Sequence, residues 1–81
     1  MIWEKIGRAV QTSGESTTYY RTKDGRFTIE SRKRKIAHAN GRSGFWWHRT
    51  YFLIDGDGNE KEYYSLKDAK EAAEDRQEAK A

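Results

Sequence analysis

The run WWHRTYFLID, residues 46–55, is apolar on both of its faces, and this constrains the chain more than any other feature. Written as a strand, it places Trp47, Tyr51 and Leu53 on one side and Trp46, Phe52 and Ile54 on the other. A strand of that kind belongs in the middle of a sheet, or under a cover on its second face. The rest of the chain offers few aliphatic residues with which to bury it. The 3 Trp, 5 Tyr and 3 Phe must supply much of the core, each able to bury roughly 150–250 Å². There is no cysteine, so neither a disulfide nor a thiolate metal site can brace the fold. Eighty-one residues make one domain with a thin core.

The neighbouring segments supply partners for that strand. TTYYRTKDGRFTIESRK, 17–33, reads as a hairpin. Its Tyr, Thr, Phe and Ile favour strands, and Lys23-Asp24-Gly25 supplies the turn. Phe27 and Ile29 face one way; Thr28, Glu30, Arg32 and Arg34 face the other. The apolar alternation stops after Ile29, so the far end of this strand is expected to be solvated. Residues 1–12 fit a short strand better than a helix, although Gly7 weakens both. QTSGESTT, 11–18, reads as a loop or as a hairpin turning at Ser13-Gly14. DGDGNE turns the chain after residue 54, and KEYY can return as a further strand.

SLKDAKEAAEDRQEAKA, from residue 65, reads as a helix. Ser65 is a good N-cap with Asp68 three residues on, and Leu66, Ala69, Ala72 and Ala73 form its inner stripe. The expected architecture is α+β: a three- or four-stranded antiparallel β-meander within residues 2–64, and one C-terminal α-helix of about 65–80 packed on one face.

Charge is distributed unevenly. Residues 1–54 carry 11 Lys and Arg against 4 Asp and Glu, net +7, whereas residues 55–81 carry 5 against 9, net −4. A basic face of this kind attracts polyanions or an acidic protein surface. The candidate binding residues cluster in SRKRKIAHANGRSGFWWHR, 31–49: Arg32, Lys33, Arg34, Lys35, Arg42, Phe45, Trp46, His48 and Arg49. Aromatic rings beside cations can stack on unpaired bases or anchor a protein interface. Two structural alternatives stand beside this reading. Consecutive cations also block edge pairing at a solvated hairpin end, and Trp47 is expected to belong to the core. At least one of Phe45 and Trp46 should be exposed or cover the sheet's second face, because one helix cannot cover both faces of a strand.

Other chemistry finds little support. Asp55, Asp57 and Asn59 have the opening spacing of a calcium loop, but Glu60 stands where the loop needs glycine and Leu66 where it needs glutamate. His38 and His48, without cysteines or a spaced carboxylate motif, do not make a metal site. Gly41 and Gly44 match no nucleotide fingerprint, and no nucleophile-and-base pattern occurs. The chain therefore reads as a non-enzymatic module with no cofactor. Its start, MIWEKIGRAV, lacks the continuous apolar run of a signal peptide, and nothing approaches the roughly 18 apolar residues of a membrane span. A cytoplasmic protein with no membrane partner is expected.

Taken in order, Trp3, the hairpin YYRTKDGRFTIESR, the strand WWHRTYFLID and the segment YYSLKDAKEAAE resemble the small proteins of bacteriophages and mobile elements. The resemblance spans most of the chain and implies a fold and a phage origin, with a place in the host cytoplasm. KDGRF, 23–27, also resembles the amino-terminal arm-binding domains of tyrosine integrases, which insert a three-stranded sheet into the DNA major groove. That likeness implies nucleic acid as the partner, reached through the basic and aromatic sheet and loop. The chain departs from it in having an acidic helix and no catalytic domain. Phage proteins of this size also include inhibitors of host enzymes, anti-CRISPR proteins among them. By that likeness, the partner would be an acidic protein surface.

Overall fold

The computed structural model describes residues 2–37 and 44–80. It contains β1 (Trp3–Val10), β2 (Ser16–Thr22), β3 (Phe27–Ala37), β4 (Phe45–Asp55), β5 (Glu60–Tyr63) and α1 (Leu66–Lys80). The strands form one antiparallel meander in the order β1-β2-β3-β4-β5, so the fold is α+β. The sheet has five strands rather than the three or four expected. Both of the sequence's ambiguous segments pair: β1 along β2 from Trp3↔Thr22 to Val10↔Ser16, and β5 along β4 from Ile54↔Glu60 to Tyr51↔Tyr63. The strand expected within residues 1–12 is present as β1, and its pattern is weak in the sequence because its register slips between Lys5 and Gly7. Such a bulge breaks the period-two pattern by which a strand is recognised.

Local chemistry fixes the turns. Gly25 has φ +78°, and the Thr22 hydroxyl donates to the Asp24 carboxylate at 2.7 Å while accepting from the Phe27 amide at 3.1 Å. At the β4–β5 turn, the Asp55 carboxylate accepts from the amides of Asp57 and Asn59 at 2.9 and 3.1 Å. The segment that mimics a calcium loop is therefore organised around its first carboxylate as a hairpin turn. Ser65 caps α1, accepting from the Asp68 amide at 3.1 Å.

The core is small. Phe27, Ile29 and Leu53 of the sheet form one buried cluster with Ala69 and Ala73 of the helix, and Trp3, Tyr20, Tyr51, Tyr63, Leu66 and Ala72 pack around it. Alanines let the helix approach side chains of that size closely. Arg76 reaches Asp55 at 3.3 Å, tying the helix to the end of β4. Trp3 buries its indole Nε1 without a hydrogen-bond partner among the described residues. This desolvation costs roughly 1–3 kcal/mol, set against the area its ring removes from water.

Two features position the site. β4 lies between β3 and β5, as its two apolar faces require. In addition, β3 and β4, at eleven residues each, outrun everything beside them. β2 pairs with β3 only as far as Ser16↔Lys33, and β5 pairs with β4 only as far as Tyr51↔Tyr63. Beyond those points Arg34–Ala37 and Phe45–His48 pair only with each other, as a two-stranded arm. The molecule is accordingly long, 51 × 24 × 20 Å.

Candidate nucleic-acid interface

The pairing of β3 with β4 runs without a break from Phe27↔Asp55 to Ala37↔Phe45, so side parity holds along the whole ribbon. Lys33, Lys35, Phe45, Trp47 and Arg49 fall on the side that carries Ile29 and Leu53, where the helix lies. Arg32, Arg34, Ile36, Trp46 and His48 fall on the other. The helix covers only the near half of its side. Along β4, Leu53 is fully buried, whereas Trp47 is 39% and Phe45 44% exposed.

On the helix side the arm carries cations and rings in contact. The Lys35 ammonium lies 3.9 Å from the centroid of the Phe45 ring, and that of Lys33 lies 4.6 Å from a ring of Trp47. Phe45 and Trp47 meet edge to face, 5.4 Å apart at 86°. Lys33, Lys35 and Arg49 form no ion pair among the described residues. Trp47 was expected in the core, and the structure corrects this. Its parity is that of the core face, but it stands beyond the reach of the helix, so its cover is Lys33 and the β1–β2 turn. Gly14 of that turn, at φ +90°, lies against the indole. Next to it, Glu15 accepts from the Lys35 backbone amide at 3.2 Å, taking the place of the β2 residue that would have continued the ladder. Gly14 and Glu15 therefore belong to the site, though the local sequence gave no sign of it.

The other side is built differently. Arg32 stacks on Phe52, 4.0 Å from its centroid, and bridges Glu30 at 3.3 Å and Glu60 at 3.9 Å. Arg34 donates to the carbonyls of Ser16 and Lys33 and to the Thr17 hydroxyl, at 3.0–3.1 Å. Two of the candidate binding residues are thus committed within the fold: Arg32 roofs the open face of the sheet, and Arg34 props the arm against β2. They also sit across the sheet from Arg49, so these three of the candidate cations do not share one surface. Arg42 lies outside the described residues, as does His38. Trp46, 44% exposed, meets His48 edge to face at 5.4 Å.

Among the described residues, no group of three or more His, Cys, Asp or Glu could hold a metal, and no helix is long and apolar enough to cross a membrane. A shallow hollow of about 420 Å³, lined by Ile2, Thr22, Lys23, Asp24 and Gln77, lies at the opposite end of the sheet from the arm. Compared with protein-family models, curated proteins and solved structures, the chain has no significant match.

Proposed function

We propose that this protein is a small, non-enzymatic nucleic-acid-binding module, working in the cytoplasm of a phage-bearing host, and that the helix side of its arm is the binding surface. The observation that carries the reading is the interleaving of Lys33 and Lys35 with the exposed rings of Phe45 and Trp47. Three cations that form no ion pair among the described residues can contact phosphates, and two rings at the surface can contact bases. Arg32 and Arg34, committed elsewhere, contribute by holding the platform in shape. Fluorescence anisotropy on labelled oligonucleotides at two salt concentrations tests this. Affinity should fall steeply with salt, because each phosphate contact releases counterions, and the fall should flatten in a Lys33→Gln, Lys35→Gln, Arg49→Gln triple variant. No binding at either salt overturns the reading.

One observation favours a second reading. Trp46, His48 and Ile36 on the opposite side form a ring-rich patch whose neighbouring guanidinium, Arg34, is already satisfied. An exposed tryptophan in such a setting suits a protein partner, as for a phage-encoded inhibitor of the anti-CRISPR kind. Capture of one host protein that survives nuclease treatment and is lost in Trp46→Ala would favour it.

A further inference from the structure

The arm's helix side presents ring faces, and those faces are already occupied by ammonium groups, which narrows the kind of nucleic acid it can take. A base inside a duplex offers only its edges in the grooves, because both of its faces are stacked on neighbours. Only an unpaired base can lay a face on a side-chain ring. Phe45 and Trp47 are two residues apart on β4, on one side of the sheet, both partly exposed and with their ring planes 86° apart. They are placed to receive bases rather than to wedge between them. Gly14 lies beside the six-membered ring of the Trp47 indole.

From this arrangement, and resting on the reading of the arm as a nucleic-acid site, we infer that the ligand is an unpaired polynucleotide strand whose bases stack on Trp47 and Phe45 in exchange for the ammonium groups of Lys33 and Lys35. In the free protein each ammonium rests on a ring, an electrostatic attraction to the π face. When a base takes that face, the lysine swings off on its four-carbon stem and meets the strand's phosphate. The ring exchanges one favourable contact for another, and the lysine gains an anion. A duplex can use the lysines but not the rings, so it recovers only part of the interaction.

The experiment compares a labelled thymine 12-mer, a uracil 12-mer and a 12-base-pair duplex, at two salt concentrations. Tryptophan emission is read in a Trp46→Phe background, so that Trp47 is the exposed reporter. The expected result is that either single strand binds at least tenfold more tightly than the duplex and quenches the emission. Trp47→Ala should then weaken single-strand binding by about 5- to 150-fold. Phe45→Leu, which keeps an apolar side chain but no π face, should weaken it in the same direction and guards against a folding defect in the Trp47 variant. Lys35→Gln should lower the salt slope by roughly 0.7, the single-strand value for one phosphate, while the quench persists. Equal or tighter binding of the duplex overturns this inference and leaves the nucleic-acid reading standing; binding of neither form overturns both.

Discussion

The Trp47 indole lies so close to Gly14 that a Cβ added there would stand 3.1 Å from its Cη2 atom. A residue on the fourth strand is thereby held by the turn between the first and second. An isolated two-stranded ribbon is marginal in water, and this contact is one of the braces that let the arm stand. Gly14→Ala imposes both the crowding and a left-handed backbone at φ +90°, the latter costing about 1–2 kcal/mol. The expected outcome is a lower melting temperature with altered tryptophan emission. Gly14→Asn carries the same Cβ but tolerates the backbone better. It should recover part of the stability and keep the altered emission. Unchanged emission in both variants would mean that the turn does not hold the ring.

Ala73 is fully buried against the sheet. At roughly 0.05–0.15 kcal/mol per residue, a chain of this size has only about 4–12 kcal/mol of stability. An unpaired carboxylate at position 73 cannot be solvated there without prying the helix away. Ala73→Glu is expected to abolish the cooperative thermal transition seen by circular dichroism. Glu71→Ala, on the exposed side of the same helix, should stay within about 0.5 kcal/mol of the parent. A normal transition in Ala73→Glu would show that the alanine stripe does not form the contact.

The acid limb of stability should be set partly by Asp55. Burial pushes its pKa up, but hydrogen bonds from the Asn59 and Asp57 amides and the Asn59 side chain, together with the Arg76 charge, outweigh that and hold it below the usual carboxylate value. Asp24 is lowered as well, first by the Thr22 hydroxyl and then by the Arg26 amide. A folded-state pKa below the unfolded one means that the stabilisation is present above the unfolded pKa, near 3.9, and is lost as pH falls through the folded value. Melting temperatures should therefore be flat near neutrality and drop below about pH 4. Asp55→Asn should be less stable at pH 7 and show a shallower drop. An identical drop in Asp55→Asn and Asp24→Asn would remove both carboxylates from the account.

These residues also show what the sequence made legible. The central position of β4, the Lys23-Asp24-Gly25 turn, the Ser65 cap and the alanine stripe each follow from short-range chemistry, which is why they could be read from a few letters. The reach of the helix over the sheet could not be read in that way. A fifteen-residue helix is about 22 Å long, and an eleven-residue strand about 36 Å. The helix therefore leaves part of the core face bare however it lies, and Trp47 falls in that part. The duties of Arg32 and Arg34 depend on which residues stand across from them on neighbouring strands. Glu60 and Ser16 are far from them in sequence, and no local pattern announces either contact.

The two sets of cations should separate in the laboratory. Arg32 and Arg34 are committed to Glu30, Glu60, the Phe52 ring and the edge of β2, whereas Lys33, Lys35 and Arg49 form no ion pair among the described residues. Replacing Arg34 leaves the Ser16 carbonyl without its side-chain donor and unprops the arm. A half-buried hydrogen bond of this kind contributes on the order of 1 kcal/mol, and Arg32, whose bridges are partly exposed, contributes up to about 1 kcal/mol. The Arg32→Gln, Arg34→Gln pair should therefore lower the denaturant midpoint by an amount corresponding to roughly 1–2 kcal/mol. It should leave the dependence of log affinity on log salt almost as in the parent. Lys33→Gln, Lys35→Gln, Arg49→Gln should reduce that slope by about 2, from three contacts at roughly 0.7 each, while its midpoint falls only by what the contacts of Lys33 and Lys35 with Trp47 and Phe45 contribute, about 0.5–1 kcal/mol each. Measuring denaturation and salt-dependent anisotropy on the same four proteins (parent, arginine pair, lysine-side triple and the combination) reads both effects at once. A slope that falls mainly in the arginine pair would move the phosphate-contacting surface to the other side of the sheet, beside Trp46.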